Sequence, residues 1–322
     1  MKIVEAPIPI CAGDEVLIQV KAAGICGTDI GDYVYMKGFE GIPGHEVSGV
    51  VEDPGNSQFR RGDRVMLSVH ITCRACDDCR NGDVVFCPEL KVFGAGMGID
   101  GGMAEYIKVP AQVVHPLPDD IPFETGCLIL DALATAYGAV NKFEIREGMR
   151  VAVLGAGPIG LLAMLIASSR GANVIAIEAS AARLEAVQRY GAKYAIDLNE
   201  CDALERVRTL TDGRGVDAVF QCATSASAVR TGLSILANRG TMVQVSGVHE
   251  VTLDMYNMLN EHELILKGTR NGNELLLPEL IRFVREHPQV NEIITNRYPL
   301  SEAKEAFESA KAHVGIKTVL LP

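Results

Sequence analysis

Four cysteines fall within fifteen residues, spaced Cys73-x2-Cys76-x2-Cys79-x7-Cys87. Four thiolates in one loop suit a closed tetrahedral zinc site, with Zn–S bonds of about 2.3 Å. Nothing between them supplies a base or a nucleophile, so such a site is structural. No second cysteine motif accompanies it to suggest an iron–sulfur electron path. A second pattern, Gly155-Ala156-Gly157-Pro158-Ile159-Gly160, has the glycine spacing of a loop that cradles a dinucleotide pyrophosphate. Gly155 permits the tight turn, Gly157 lets the pyrophosphate approach the backbone, and Gly160 lets the following helix pack close. The start of that helix would face the phosphates with its partial positive charge. Glu178, 23 residues after Gly155, closes the next apolar run. A carboxylate there accepts hydrogen bonds from an adenosine ribose and repels a 2′-phosphate, which favours NAD over NADP. Arg183, five residues on, is the side chain that would keep NADP open, or it lies along the adenine.

These groups need a scaffold. From residue 150 the sequence alternates short apolar runs with amphipathic ones. Strands are expected at 151–154, 174–177, 194–196, 216–220, 242–245 and 264–267. Helices are expected at 158–170, 180–190, 201–211 and 226–236. That order predicts a parallel, doubly wound α/β sheet. Residues 1–118 read differently, with alternation at Val16, Ile18 and Val20 and again at Val47 and Val51, and frequent Gly and Pro punctuation, so they predict a β-rich region. A proline-rich loop at 110–122 leads into a helix near 123–141. After Gly268 come helices near 274–286 and 301–311 and a strand at 316–320. This tail is too short for a domain of its own and is expected to complete the first one.

Lys plus Arg is 30 and Asp plus Glu 41, a formal net charge of −11, which argues against nucleic-acid or anionic-membrane surfaces. Hydrophobic residues are 48% of the chain, enough for packed cores. No apolar block of secretory-signal length opens the chain. The uncharged run Val151–Ser169 is split by Gly155-Ala156-Gly157-Pro158 into pieces too short to span a bilayer. Nine cysteines, an odd number with one tight cluster, fit a reducing compartment and metal ligation better than disulfides, so the expected location is cytoplasmic.

A third constellation is dispersed: Cys26-Gly27-Thr28-Asp29, then Gly44-His45-Glu46, then Asp131. Singly each is weak. In order with the four-cysteine lobe, Asp100-Gly101-Gly102-Met103-Ala104-Glu105-Tyr106 and the glycine loop, they make the chain resemble the zinc-dependent medium-chain dehydrogenases, the alcohol, polyol and threonine dehydrogenase family. The resemblance runs from about residue 14 to the C-terminus. It implies a GroES-like catalytic domain from both chain ends (1–132 and 272–322), carrying a structural zinc lobe. It also implies a Rossmann domain between them (133–271), two zinc ions per chain, and a homodimer or homotetramer.

The resemblance further implies that Cys26, His45 and a third residue hold a catalytic zinc. Asp131 matches the position of a second Cys in primary-alcohol enzymes, and Glu46 competes as the ligand, as in polyol dehydrogenases. Cys127 reads as core. Thr28 would take the substrate hydroxyl proton, with hydride passing to NAD bound at Gly155, Gly157, Pro158, Ile159, Gly160, Glu178, Arg183, Thr135 and Ser246. The implied substrate is a small-molecule secondary alcohol: a polyol, sugar alcohol or amino alcohol. A threonine-type dehydrogenase and an impaired dinucleotide-binding zinc protein are the alternatives. Two departures stand out. Gly31 replaces the histidine that many relatives carry three residues after the Thr, and most of the relatives' opening β-hairpin is missing. Tyr33, Tyr35, Phe93, Met97 and Arg270 are candidate pocket side chains.

Overall fold

β1 (Glu15–Gly24) buries Val16, Ile18 and Val20, the alternation expected of a strand with one face in a core. The computed structural model describes residues 2–35, 41–95 and 98–322, with backbone alone at 32, 34 and 35. Met97 and the Tyr35 side chain lie outside the described residues. The chain divides into two compact units, Met1–Ala134 with Asn273–Pro322, and Thr135–Gly272.

In the first unit β1 is followed by α1 (Gly27–Tyr35), β2 (Glu46–Asp53), β3 (Arg64–Leu67), β4 (His70–Ile71) and α2 (Asp77–Arg80). Then come β5 (Lys91–Val92), β6 (Tyr106–Pro110), β7 (Val114–Pro116) and α3 (Phe123–Leu128). A π-helical turn, Ile129–Leu133, joins α3 to α4 (Ala134–Val140), on which the chain leaves this unit. The helix expected near 123–141 thus forms over Phe123–Val140, with the π turn at its middle. The run Phe123–Val140 is long and apolar enough to cross a membrane by length and composition, but 78% of it is buried inside the fold.

The second unit contains β8 (Arg150–Leu154), α5 (Pro158–Ser169), β9 (Asn173–Glu178), α6 (Ala181–Val187) and β10 (Ala192–Asp197). It continues with α7 (Ala203–Leu210), β11 (Val216–Gln221), α8 (Ala226–Ser234), β12 (Leu236–Gln244) and β13 (Ile265–Gly268). All six strands are parallel, in the order β10-β9-β8-β11-β12-β13. Such a sheet is covered on both faces, which is why β8 and β9 carry the unbroken apolar runs 151–154 and 174–177, while β11 is interrupted only by Asp217 within 216–220. Ala152, Leu154, Ile175, Ile177, Val219 and Met242 form its core. The strand order reverses between β8 and β11, and the crevice at that switch point is where such sheets bind dinucleotides.

The chain returns to the first unit through α9 (Leu277–Glu286), α10 (Gln289–Glu292), β14 (Ile294–Pro299), α11 (Ala303–Lys311) and β15 (Lys317–Leu321). β15 pairs antiparallel with β1 (Ala23↔Leu320) and parallel with β14, so the tail completes the first sheet, β14-β15-β1-β2-β3-β7 with β6 on β1. β14 was not expected. Its burial alternates, with Ile294, Asn296 and Tyr298 more covered than their neighbours, but Asn296 on the covered side hides the period in the sequence, and terminal Pro299 matches an edge strand.

Candidate active site and metal centres

β1 and β2 pair antiparallel with Gly24 opposite Glu46, so the residues just beyond their adjoining ends, Cys26 and His45, become neighbours. Asp131 arrives from the π-helical turn. Cys26 Sγ lies 3.7 Å from Asp131 Oδ2, and His45 Nε2 lies 3.7 Å from the same oxygen. The three ligand atoms fall within 4.8 Å of one another. A thiolate, an imidazole and a carboxylate converging on one point fit zinc, and three protein donors leave the fourth position open. A single π turn in a helix is rare and frequent at functional sites.

Asp29, at the start of α1, was not assigned a role from sequence. It is buried; Oδ2 accepts the Cys26 N–H at 2.8 Å, and Oδ1 lies 3.3 Å from His45 Nδ1. It therefore orients both donors, the role such outer carboxylates play at metal sites. Burial alone would lower the His45 pKa, but the Asp29 charge and the Asp131 contact hold it well above the usual imidazole range. Burial opposes ionisation of Asp131 as well, yet His45 outweighs it and holds the carboxyl below its ordinary value. Burial and the Asp131 charge push the Cys26 thiol up. A divalent cation at this point would reverse that bias toward the thiolate.

Glu46 lies beside Asp131, with which it interacts, but outside the three converging donors. Its carboxylate meets Lys317 Nζ at 2.6 Å, and Lys317 also donates to the Ile25 carbonyl at 2.9 Å. Both side chains are almost wholly buried, so each needs the other. Burial lifts the Glu46 carboxyl to about 7 against the pull of Lys317. Burial opposes the Lys317 charge too, but Glu46 keeps it above the ordinary lysine value. Glu46 is thus engaged by Lys317, while Asp131 converges with Cys26 and His45. Lys317 was not anticipated; its one signal is a charge opening an otherwise apolar C-terminal strand. Thr28, exposed on α1, has Oγ1 3.8 Å from Cys26 Sγ. At Gly31, also on α1, an added Cβ would meet nothing within 4 Å. Cys127 is buried and donates to the Glu124 carbonyl. Tyr33 donates to Glu308 and Phe93 is fully buried in the core, so both pack, and Arg270 is exposed.

The sulfurs of Cys73, Cys76, Cys79 and Cys87 also lie within 4.8 Å of one another. The N–H groups of Ala75 and Cys76 point at Cys73 Sγ and lower its pKa to about 7. A Cys79 hydrogen bond favours the Cys76 thiolate, but burial and the neighbouring sulfurs push it up to about 12. A cluster that resists a second negative charge this way suits a dication at its centre.

In the second unit Gly155 has φ +91, and a Cβ there would lie 2.9 Å from the Ala223 nitrogen. A Cβ at Gly160 would strike the Gly155 carbonyl. Over Gly157 the nearest atom is Arg183 Nη1 at 3.9 Å, which leaves that face of the loop open to a ligand. Pro158 and Ile159 open α5. Glu178 ends β9 and accepts N–H bonds from Ala156 (2.6 Å), Ala179 (2.8 Å) and Ser180 (3.0 Å), so it braces the glycine loop as well. Ser246 donates to the Ala223 carbonyl beyond the end of β12. Thr135 is half-buried in the first turn of α4. The open loop, the helix start and an acid at the strand end fit a dinucleotide.

Residues 12–119 match the alcohol dehydrogenase GroES-like domain and residues 158–286 the zinc-binding dehydrogenase domain. The chain is 33% identical to sorbitol dehydrogenase of Bacillus subtilis over 325 residues, 96% of this chain and 90% of that one. It is 32% identical to L-threonine 3-dehydrogenase of the same species over 337 residues, 99% of this chain and 94% of that one. The structure of alcohol dehydrogenase TADH from Thermus sp. ATN1 superposes with a TM-score of 0.89 at 28% identity, covering 99% of this chain and 95% of that one. With these likenesses and two converging donor sets of the expected kinds, the chain belongs to the zinc-dependent medium-chain dehydrogenase family.

Proposed function

We propose that this protein oxidises the secondary hydroxyl of a polyol or sugar alcohol, with zinc at Cys26, His45 and Asp131 and NAD at the glycine loop of the second unit. The convergence of Cys26, His45 and Asp131 carries the reading. When bound, zinc supplies Lewis-acid polarisation of the substrate oxygen and NAD supplies the hydride acceptor. Asp29 keeps the Cys26 and His45 donors in register. The Asp131 carboxylate supplies the single negative charge that a thiolate supplies in the primary-alcohol pattern, with a harder oxygen donor. Thr28 Oγ1 receives the hydroxyl proton and passes it on. Gly31 offers no imidazole beyond it, so from Thr28 the proton would leave through water or another side chain. Glu178 supports NAD over NADP, since a 2′-phosphate would meet its carboxylate.

Four more cysteines support a second, structural zinc. The first unit serves as the catalytic domain and the second as the dinucleotide domain. None of the nine cysteines is paired in a disulfide, which supports a reducing, cytoplasmic setting. The edge strand β13 exposes all four residues, Ile265 and Leu266 among them, which supports assembly as a homodimer or homotetramer through that sheet edge. The test is NADH formation across a panel of polyols, sugar alcohols, primary alcohols and L-threonine. Polyol turnover well above the rest is expected. Preference for L-threonine would move the reading to the amino-alcohol branch, and no turnover on any alcohol would overturn it.

A further inference from the structure

The cysteine lobe is bonded to two consecutive residues far away in sequence, Asn273 and Glu274. The chain leaves the second unit after Gly272, so Asn273 is the first residue of its return. Asn273 Nδ2 donates to the Asn81 carbonyl at 2.7 Å and to Asp83 Oδ1 at 3.1 Å. Its Oδ1 accepts the Leu275 N–H at 2.9 Å, capping the short turn that follows. The Glu274 N–H donates to the Gly82 carbonyl at 3.1 Å. The Glu274 carboxylate, 12% exposed, pairs with Arg74.

Arg74 sits between the first two cysteines and holds a left-handed backbone at φ +56. Such a conformation is uncommon for a residue with a Cβ and needs support from its surroundings. Its Nε donates to Gln112 Oε1 at 3.0 Å and its Nη2 to the Gln112 carbonyl at 2.8 Å, so the guanidinium is fixed on two sides. Gly82, between Asn81 and Asp83, is left-handed at φ +79, and a Cβ there would run into the Asn273 side chain. The close fit is therefore built into both partners. Four sulfurs suffice to close a zinc site; none of these contacts is needed for that.

We propose that the metal-loaded cysteine lobe anchors the return crossing at Gly272–Asn273. Arg74 from the front of the lobe and the Asn81–Asp83 turn from its middle together fix Asn273 and Glu274. The lobe's metal thereby sets the rigidity of the crossing peptide as well as the fold of the lobe itself. This goes beyond the reaction assigned above and does not depend on the substrate.

Hydrogen–deuterium exchange on the full-length, zinc-loaded protein tests it, with zinc content measured on the same samples. Asn273→Ala removes the side-chain bonds and touches no cysteine. A lost hydrogen bond is worth roughly a factor of ten in local opening, so the amides of 274–276 should exchange about tenfold faster while both zinc ions stay bound. Cys79→Ser, lacking the lobe metal, should speed the same amides at least as much and leave those of β8 to β12 unchanged. If Cys79→Ser does not fold, wild-type protein stripped of all zinc takes its place, with Asp131→Ala, which keeps the lobe metal, as the control. Wild-type exchange at 274–276 after loss of the lobe metal, or in Asn273→Ala, overturns the proposal.

Discussion

Asp29→Asn should weaken zinc at Cys26–His45–Asp131 by about 10- to 100-fold and leave the fold intact. Asp29 is 2% exposed and the substitution preserves shape, so it opens no cavity. What changes is the pattern of donors and acceptors. The carboxylate faces two N–H groups, Cys26 N–H at 2.8 Å and His45 Nδ1 at 3.3 Å. Nδ1 carries the imidazole proton when Nε2 is a metal ligand. The carboxylate accepts the Cys26 N–H through Oδ2 and sets its second charged oxygen against His45 Nδ1. An amide offers one oxygen, and its NH2 must then face the other donor. One contact of an N–H group with a charged oxygen is lost, worth about 1.5–3 kcal/mol once zinc fixes the Nδ1 proton toward Asp29. At about 1.4 kcal/mol per tenfold this is roughly 10- to 150-fold, in line with the usual effect of outer-shell carboxylates. The assay is competition for zinc by a chromophoric chelator, with the four-cysteine site as the internal reference and turnover read in parallel. A catalytic-site affinity within threefold of wild type would refute the bridging role of Asp29.

Thr28→Ala should lower kcat by about 10²–10⁴-fold and Thr28→Ser only mildly, as expected for a positioned proton acceptor; equal losses in both variants would place the relay elsewhere. Gly31→His, at a helical site with room for a side chain, should add a limb near pH ~6.5 to the kcat profile that wild type lacks; an unchanged profile contradicts the missing-imidazole reading. Lys317→Met strands the buried Glu46 carboxylate and should lower unfolding free energy by about 3–5 kcal/mol, whereas adding Glu46→Gln should recover much of it; a single variant within 1 kcal/mol of wild type by urea melts would show that the pair is not needed. Wild-type kcat/KM should favour NAD over NADP, and Glu178→Ala should narrow that ratio; an NADP preference in wild type would mean that Arg183 outweighs Glu178.

The doubly wound sheet was legible because strands buried on both faces leave continuous apolar runs, and the glycine loop was legible because its three glycines answer to separate local constraints. The four-cysteine lobe was equally plain, since its ligands sit close along the chain. The proposed catalytic centre was not. Cys26, His45 and Asp131 come from a strand end, a loop and a π turn, and no spacing links them; a family resemblance brought them together. Spacing also could not separate Glu46 from Asp131 as the proposed ligand, because the residue that engages Glu46 is Lys317, 271 positions away. The π turn that presents Asp131 leaves no mark in an apolar helical sequence. Asn273 and Arg74 show the same limit: each reads as an ordinary surface polar residue until the return of the chain is known.

Metal content and NAD reduction in wild type and Asp131→Ala, on the same fresh preparations, test the assignment of the centre most directly. Wild type should carry two zinc ions per chain and reduce NAD with a polyol. Asp131→Ala should keep one zinc, at the four cysteines, and lose turnover. An Asp131→Ala protein that holds two zinc ions and turns over at the wild-type rate would contradict the account.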